Sequence, residues 1–257
     1  MQTLNDLRLA VLIDADNIPF SNVTGMLEEI AKYGTPTFKR IYGDWTRPTI
    51  SGWKQVLLEH AITPVQQYSY TKGKNSTDSA MIIDAMDILY SGKVDGFCIV
   101  SSDSDFTRLA TRLREAGMKV IGIGERKTPS PFIVACEKFI YLEILSNTAP
   151  VREQVAAKDR KGNPGKSKKA TPENDQQFQI RKAKRLIATS ISDLADENGW
   201  AYLGDVGNLI IKKQPDFDPR NFGFAKLTPL IRSFEFEIDE RESGQNHIKL
   251  IYIRNRK

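Results

Sequence analysis

Between residues 8 and 145 short β-branched runs alternate with amphipathic stretches, and this alternation limits the possible folds more than any other property of the sequence. LRLAVLID (7–14), TFKRIYGD (37–44), TPVQQYSY (63–70), DGFCIVSSD (95–103) and MKVIGIGE (118–125) have the length and the Val, Ile, Phe and Tyr content of strands. Helical patterns lie between them, near Asn22 to Tyr33, Ser51 to His60, Asp78 to Tyr90 and Phe106 to Ala116. A segment near Ser130 to Cys136 and the run KFIYLEIL close the region. Strands separated by helices join through crossovers, so the expected class is α/β, with a mainly parallel sheet covered by helices.

A chain of 257 residues exceeds one average domain of roughly 100 to 200 residues, and two are expected. The run VREQVAAKDRKGNPGKSKKATPENDQ (151–176) is poor in large apolar side chains and rich in Lys, Gly and Pro, as a flexible linker is. The expected layout is therefore a domain at 1–150, a basic linker at 151–176 and a small domain at 177–257. The last should begin with a long basic helix reaching Asn198. Helices near Asp205 to Lys213 and Phe222 to Ser233 and strands near FEFEI and HIKLIYI should follow, a winged-helix-like order.

Charge follows the same division. Residues 1–150 hold 16 Lys/Arg against 17 Asp/Glu, and the remainder 21 against 15. A basic second half suits a polyanionic partner, although a solvated basic tail would give the same count. No apolar run is long enough to span a bilayer and no signal peptide is evident, so a cytoplasmic location and no membrane partner are expected. Cys98 and Cys136 lack any CxxC spacing and read as buried reduced thiols. Only His60 and His247 supply imidazole, which leaves oxygen ligands, and hence Mg²⁺ or Mn²⁺, for any metal.

The acidic residues supply such ligands. In an open parallel sheet, strand C-termini and helix N-termini share the edge where ligands bind. Asp14 ends the first strand in DADN, and Asp103 and Asp105 follow a strand in SSDSDF. Asp78, Met81, Ile82, Ala85 and Leu89 share one helical face, so Asp78 in the first turn points at that edge. Converging carboxylates repel one another unless a cation neutralises them. Taken singly, each Asp could instead cap a helix or a turn. Asp16 and Asp44 could support the same edge or be solvated, and Asp84 suits a structural hydrogen-bonding role.

The strings DADN (14–17), KNSTDSAMIIDAMDILYSG (74–92), DGFCIVSSDSDF (95–106) and GERKTP (124–129), in this order, resemble the NYN domains of the PIN-like nuclease superfamily over residues 8–145. The resemblance implies a PIN-like three-layer sandwich and divalent-metal-dependent RNA cleavage. It also implies that Asp14, Asp78, Asp103 and Asp105 are the acidic site and that Asn17 orients a ligand or the scissile phosphate. An Asx-turn explains Asn17 equally well. The strings GWAYLGDVGNLIIKKQPDFDPRNFGFAKLTPLIRSF and HIKLIYIR resemble the LOTUS, or OST-HTH, module across 178–257, which implies RNA binding or protein docking.

Basic residues near the active edge, Lys72 and Lys74 before Asp78 and Arg126 and Lys127 after the fifth strand, are candidate RNA contacts. So are Arg181, Lys182, Lys184 and Arg185 on the first helix of the second module, with Lys212, Lys213, Arg220 and Lys226 flanking the next two. Phe222, Phe224, Trp200 and Tyr202 could stack on unpaired bases or belong to a core. Two other functions fit parts of the pattern. An incomplete metal site would leave an RNA-binding adaptor, and DADN echoes the haloacid dehalogenase-like phosphatases, with Asp14 as nucleophile and Asp16 as acid. GIGE (122–125) offers no dinucleotide fingerprint.

Overall fold

The structure is a computed structural model that describes residues 6–46, 52–68, 76–145, 172–243 and 248–256. The chain divides into two compact units. The first contains the described residues 6–145 and 214–217, and the second contains 172–213 and 218–256. Most of the expected linker at 151–176 lies outside the described residues, as do Lys72, Lys74 and His247.

The first unit has the elements β1 (Arg8–Asp14), α1 (Val23–Ile30), β2 (Thr35–Gly43), α2 (Trp53–Glu59), β3 (Thr63–Gln66), α3 (Ser76–Ser91) and β4 (Gly96–Val100). They are followed by α4 (Thr107–Glu115), β5 (Lys119–Gly124), α5 (Ser130–Ala135), β6 (Lys138–Tyr141) and α6 (Leu142–Leu145). The strands form one sheet in the order β3-β2-β1-β4-β5-β6, and every pairing is parallel. β1 is buried along almost its whole length, as a strand between two helical layers must be.

Successive β1 side chains feed opposite cores. Leu9, Val11 and Ile13 pack with Val23, Met26 and Ile30 of α1 and Trp53 and Leu57 of α2. Ala10 and Leu12 pack with Met81, Ala85 and Ile88 of α3, Leu109 and Leu113 of α4 and Phe132 of α5. The period-2 alternation of one strand thus creates three layers. Cys98 and Cys136 are buried free thiols, and burial pushes the Cys136 thiol up to about 12. Asp84 accepts hydrogen bonds from Arg40 Nη1 and Tyr42 Oη, which fastens α3 to β2.

The second unit comprises α7 (Pro172–Leu194), β7 (Ala201–Tyr202), α8 (Leu203–Lys213), α9 (Leu227–Arg232), β8 (Glu237–Ser243) and β9 (Ile248–Arg254). An antiparallel sheet, ordered β7-β9-β8, joins the helices. Ala183, Ile187 and Ile191 repeat at i, i+4 and i+8 on α7 and are buried, as are Val206 and Ile210 of α8, Leu230 and Ile231 of α9 and Ile253 of β9. β7 is a short strand that the sequence pattern does not announce, and α7 starts at Pro172, inside the segment expected to be linker. The first hairpin strand starts at Glu237, the fourth residue of FEFEI, and just before it Phe234 and Phe236 meet edge to face with ring centroids 6.0 Å apart.

Candidate active site

β1 and β4 are neighbours at the centre of the sheet, but α1 packs on one face and α4 on the other. The two chain segments therefore diverge as they leave the sheet, and a crevice opens between the C-terminal ends of the strands. Asp14, Asp16 and Asn17 line one side of this divergence and Ser101 to Asp105 the other. Asp78 reaches it from the first turn of α3.

Asp78, Asp103 and Asp105 each bring a carboxylate oxygen within 4.8 Å of the others. Asp103 caps the 3-10 turn Ser104–Phe106, accepting from the Asp105 backbone N–H at 2.9 Å, and that turn directs Asp105 back toward the crevice. Burial, and after it the negative charges of Asp14, Asp103, Asp105 and Asp16 in that order of effect, together raise the Asp78 pKa to about 6. Carboxylates gathered this closely repel one another unless a cation neutralises them.

Asp14 is electrostatically part of this cluster but its oxygens do not join the three-carboxylate group. It is 1% exposed and accepts three hydrogen bonds: from Ser101 Oγ at 2.8 Å, from Asn17 Nδ2 at 2.6 Å and from the Asp16 backbone N–H at 3.1 Å. A carboxylate has about four acceptor positions, so at most one remains for another ligand. Burial raises the Asp14 pKa, and the hydrogen bonds from Asn17 and Ser101 oppose that rise. Asn17 is thus a donor to Asp14, and the backbone N–H of Asp16 closes an Asx-type turn beside it.

Ser101 was not anticipated. It is fully buried, its Oγ donates to Asp14, and the same oxygen accepts from the Asp103 backbone N–H at 3.1 Å. One hydroxyl therefore sets the positions of acids from two strands. A Ser at the end of the wholly buried run GFCIV was the available signal, because a buried hydroxyl requires partners. Ser102 in turn accepts from the Glu125 backbone N–H at 2.9 Å, tying β4 to the loop after β5. Gly124 permits this approach, since a Cβ there would lie 2.5 Å from the Ser101 carbonyl oxygen. Thr77, also buried, donates to Asp16 Oδ2 at 3.4 Å. Asp44 accepts from Thr46 Oγ1 at 2.6 Å and Gln66 Nε2 at 3.1 Å, a structural arrangement at the end of β2.

The basic candidates separate into different environments. Lys127 is exposed and pairs with Glu125 at 2.5 Å, while the Arg126 guanidinium lies 5.4 Å from the Tyr141 ring centroid. Arg181, Lys182 and Arg185 are exposed on α7, and Lys184 reaches Glu235 at 3.2 Å. Lys213 is held by Asp193 at 2.5 Å, and Arg220 by Asp218 at 2.7 Å. Lys212 and Lys226 are exposed. Trp200 is covered by the guanidinium groups of Arg254 and Arg241, 4.6 and 5.6 Å from its centroid, whereas Tyr202 is 39% exposed. Phe222 and Phe224 are half-buried.

Comparison with known proteins agrees with this architecture. The NYN domain model matches residues 8–143, more than half of the chain, and the chain belongs to the NYN domain family. The OST-HTH/LOTUS domain model matches residues 177–248, so an NYN domain is followed by a LOTUS domain. No curated protein matches the chain. Among solved structures, a protein of unknown function from Vibrio parahaemolyticus RIMD 2210633 is 20% identical, covering 54% of this chain and 94% of that one, with a TM-score of 0.44. An uncharacterized protein from Nitrosomonas europaea is 26% identical, covering 42% of this chain and 93% of that one, with a TM-score of 0.27.

Proposed function

We propose that this chain is a divalent-metal-dependent ribonuclease, with residues 1–150 as its nuclease domain, 151–176 as a basic linker and 177–257 as an RNA-binding LOTUS domain. The observation that carries the proposal is the convergence of Asp78, Asp103 and Asp105 at the central crevice of an NYN fold, with their oxygens within 4.8 Å. The donor set fits Mg²⁺ or Mn²⁺. It is oxygen only, it is like-charged, and burial with the neighbouring carboxylates holds Asp78 well above its ordinary pKa. These three residues would hold the ion, with Asp14 contributing charge and at most one further oxygen. Bound there, the metal would supply activation of a water and stabilisation of the charge that develops on a phosphodiester.

The remaining work falls to the chain itself. Ser101 and Asn17 fix Asp14, and Ser101 also fixes the backbone that carries Asp103. Lys127 and Arg126 put positive charge beside the crevice for RNA phosphates, with Lys72 and Lys74 assigned the same role. Arg181, Lys182, Lys184 and Arg185 supply phosphate contacts on α7, for single-stranded or structured RNA, and the LOTUS domain is also a surface for a protein partner. No described helix is long and apolar enough to cross a membrane, and a cytoplasmic location belongs to this reading.

Two alternatives meet these facts differently. Asp14 as the nucleophile of a haloacid dehalogenase-like phosphatase would need an accessible oxygen, but the residue is buried and engaged by three donors. The adaptor reading gains from the withdrawal of Asp14 from the acidic group, since three carboxylates bind an ion more weakly than four. A screen of RNA substrates against Mg²⁺, Mn²⁺ and chelator, with wild type and Asp103→Asn, separates the two. Cleavage that needs metal and Asp103 supports the nuclease, while undiminished RNA binding with no cleavage under any condition supports the adaptor.

A further inference from the structure

Beside the acidic group lies an open cleft of about 430 Å³ that metal binding does not account for. Its near end is formed by Asp16 and Asn17, the residues that also contact Thr77 and Asp14. Its walls are the apolar Ile18 and Trp53, both buried, and Lys127 with Glu125 stands at its rim. Phe20 lies in the same cleft with 47% of its surface exposed.

The Phe20 ring is held in place. It lies directly against Gly52 at the start of α2, where a Cβ would come within 2.6 Å of Phe20 Cε1 and 3.0 Å of Cδ1 and Cζ. Gly52 has φ −62° and ψ −20°, a conformation open to any residue, so its missing side chain serves the ring and not the backbone. One part of the ring is thus supported by main chain and another is presented to solvent, beside a cation and next to the candidate catalytic crevice.

We propose that this cleft is a base-binding subsite, in which an unpaired RNA base next to the scissile phosphate stacks on Phe20 while Lys127 meets the adjoining backbone. The assignment rests on the ribonuclease reading for the identity of the ligand, and it makes single-stranded RNA the substrate class. A base within a duplex keeps its faces stacked on its neighbours, whereas a splayed base offers a π-face to an aromatic ring. Stacking of this kind tolerates any base, so the subsite selects strandedness and position, not sequence.

The test uses the full-length protein and short single-stranded RNAs of one sequence, intact or carrying an abasic residue at each position in turn. Affinity is measured in chelator and single-turnover cleavage in Mg²⁺ or Mn²⁺, for wild type, Phe20→Ala, Phe20→Tyr and Gly52→Ala. Base stacking on an aromatic side chain corresponds to roughly a 5- to 150-fold change in affinity. Wild type should show that loss at one abasic position. Phe20→Ala should bind intact RNA correspondingly more weakly and be indifferent to that abasic site, and Phe20→Tyr should restore the discrimination. Gly52→Ala, which displaces the ring without touching RNA, should act like Phe20→Ala. Thermal unfolding of each variant shows whether the fold is intact.

The outcomes separate the two levels of interpretation. If wild type cleaves RNA and Phe20→Ala retains the full abasic penalty, the subsite is overturned and the nuclease stands. If no RNA is cleaved but binding still couples Phe20 to one base, the subsite stands and the nuclease reading fails. If wild type neither binds nor cleaves RNA, or if duplex RNA is bound and cleaved as well as single strands with no abasic effect, the subsite is overturned.

Discussion

Replacing Ser101 by Ala removes a single oxygen from a fully buried position, and its cost can be worked from the hydrogen bonds it makes. The bond to Asp14 Oδ2 at 2.8 Å has a carboxylate acceptor, and such bonds contribute about 1.5–3 kcal/mol. The bond from the Asp103 backbone N–H at 3.1 Å is neutral and contributes about 0.5–1.5 kcal/mol. The expected loss is therefore about 2–4.5 kcal/mol, or roughly 5 to 15 °C in Tm if the transition scales as for domains of this size. The sign of the pH dependence follows from Asp14. Its folded pKa already lies above the ordinary 3.8 because of burial, and the Ser101 bond opposes that rise. An acid with a raised folded pKa binds more protons in the native state, so its contribution to stability falls as pH rises through the interval between the two values. Losing Ser101 moves the folded value further up, and the deficit of Ser101→Ala should be largest at pH 8 and shrink on acidification. Urea unfolding in chelator at pH 5 and pH 8 measures both quantities. A variant within about 0.5 kcal/mol of wild type at pH 8, the ordinary range for surface substitutions, would refute the argument, as would a deficit that grows at pH 5.

Asp78 carries the same sign: its pKa of about 6, raised by burial and by the neighbouring carboxylates, means that the chelator-treated protein loses stability as pH rises through that value. Asp78→Asn should therefore melt higher than wild type at pH 8 and equally at pH 4, and a lower Tm at pH 8 would contradict the repulsion described for the acidic group. Asp84→Ala strips Arg40 and the buried Tyr42 hydroxyl of their shared acceptor and should cost about 2–3 kcal/mol in urea unfolding, with no change in the metal requirement of cleavage. In the full-length chain, changing Arg181, Lys182 and Arg185 together to Gln should reduce the log–log salt slope of single-stranded RNA binding by about 2, at about 0.7 per phosphate contact. An unchanged slope would assign that face of α7 to a protein partner.

The fold was legible in the sequence because β1, β4 and β5 are almost wholly apolar and buried, and successive strands are separated by helices with one apolar stripe. Those two periods determine a parallel sheet between two helical layers. The second unit was less legible. Ala201–Tyr202 is too short to show any period, and its strand exists because β9 offers Ile253 and Tyr252 as partners across fifty residues of sequence. Similarly, Lys213 and Arg220 look like phosphate ligands in a basic sequence, and the structure pairs them with Asp193 and Asp218. Charge counts identify polyanion-binding potential for a module, but only the fold decides which cations are already neutralised.

The same distinction explains why the candidate site could be located from sequence but not resolved in detail. Several acids elsewhere have cationic or multiple neutral partners: Asp95 has Arg8, Asp84 has Arg40, Asp218 has Arg220, and Asp44 has Thr46 and Gln66. Among the described residues, no Lys or Arg pairs with Asp78 or Asp103, although both approach other carboxylates. Sequence placed these acids on one edge through strand ends and a helical stripe, without revealing that Asp14 is engaged by Ser101 and Asn17 while, among the described residues, no donor engages Asp78 in this way. The asymmetry matters chemically. A carboxylate already satisfied by fixed donors serves as a rigid negative wall, whereas one raised to about 6 by burial and by its acidic neighbours gains most from a cation and releases a proton when it binds one below that pH. The structure thus divides one string of Asp residues into an anchor, Asp14, and a receptive group, Asp78, Asp103 and Asp105, and that division sets which substitutions should disturb folding and which should disturb metal binding.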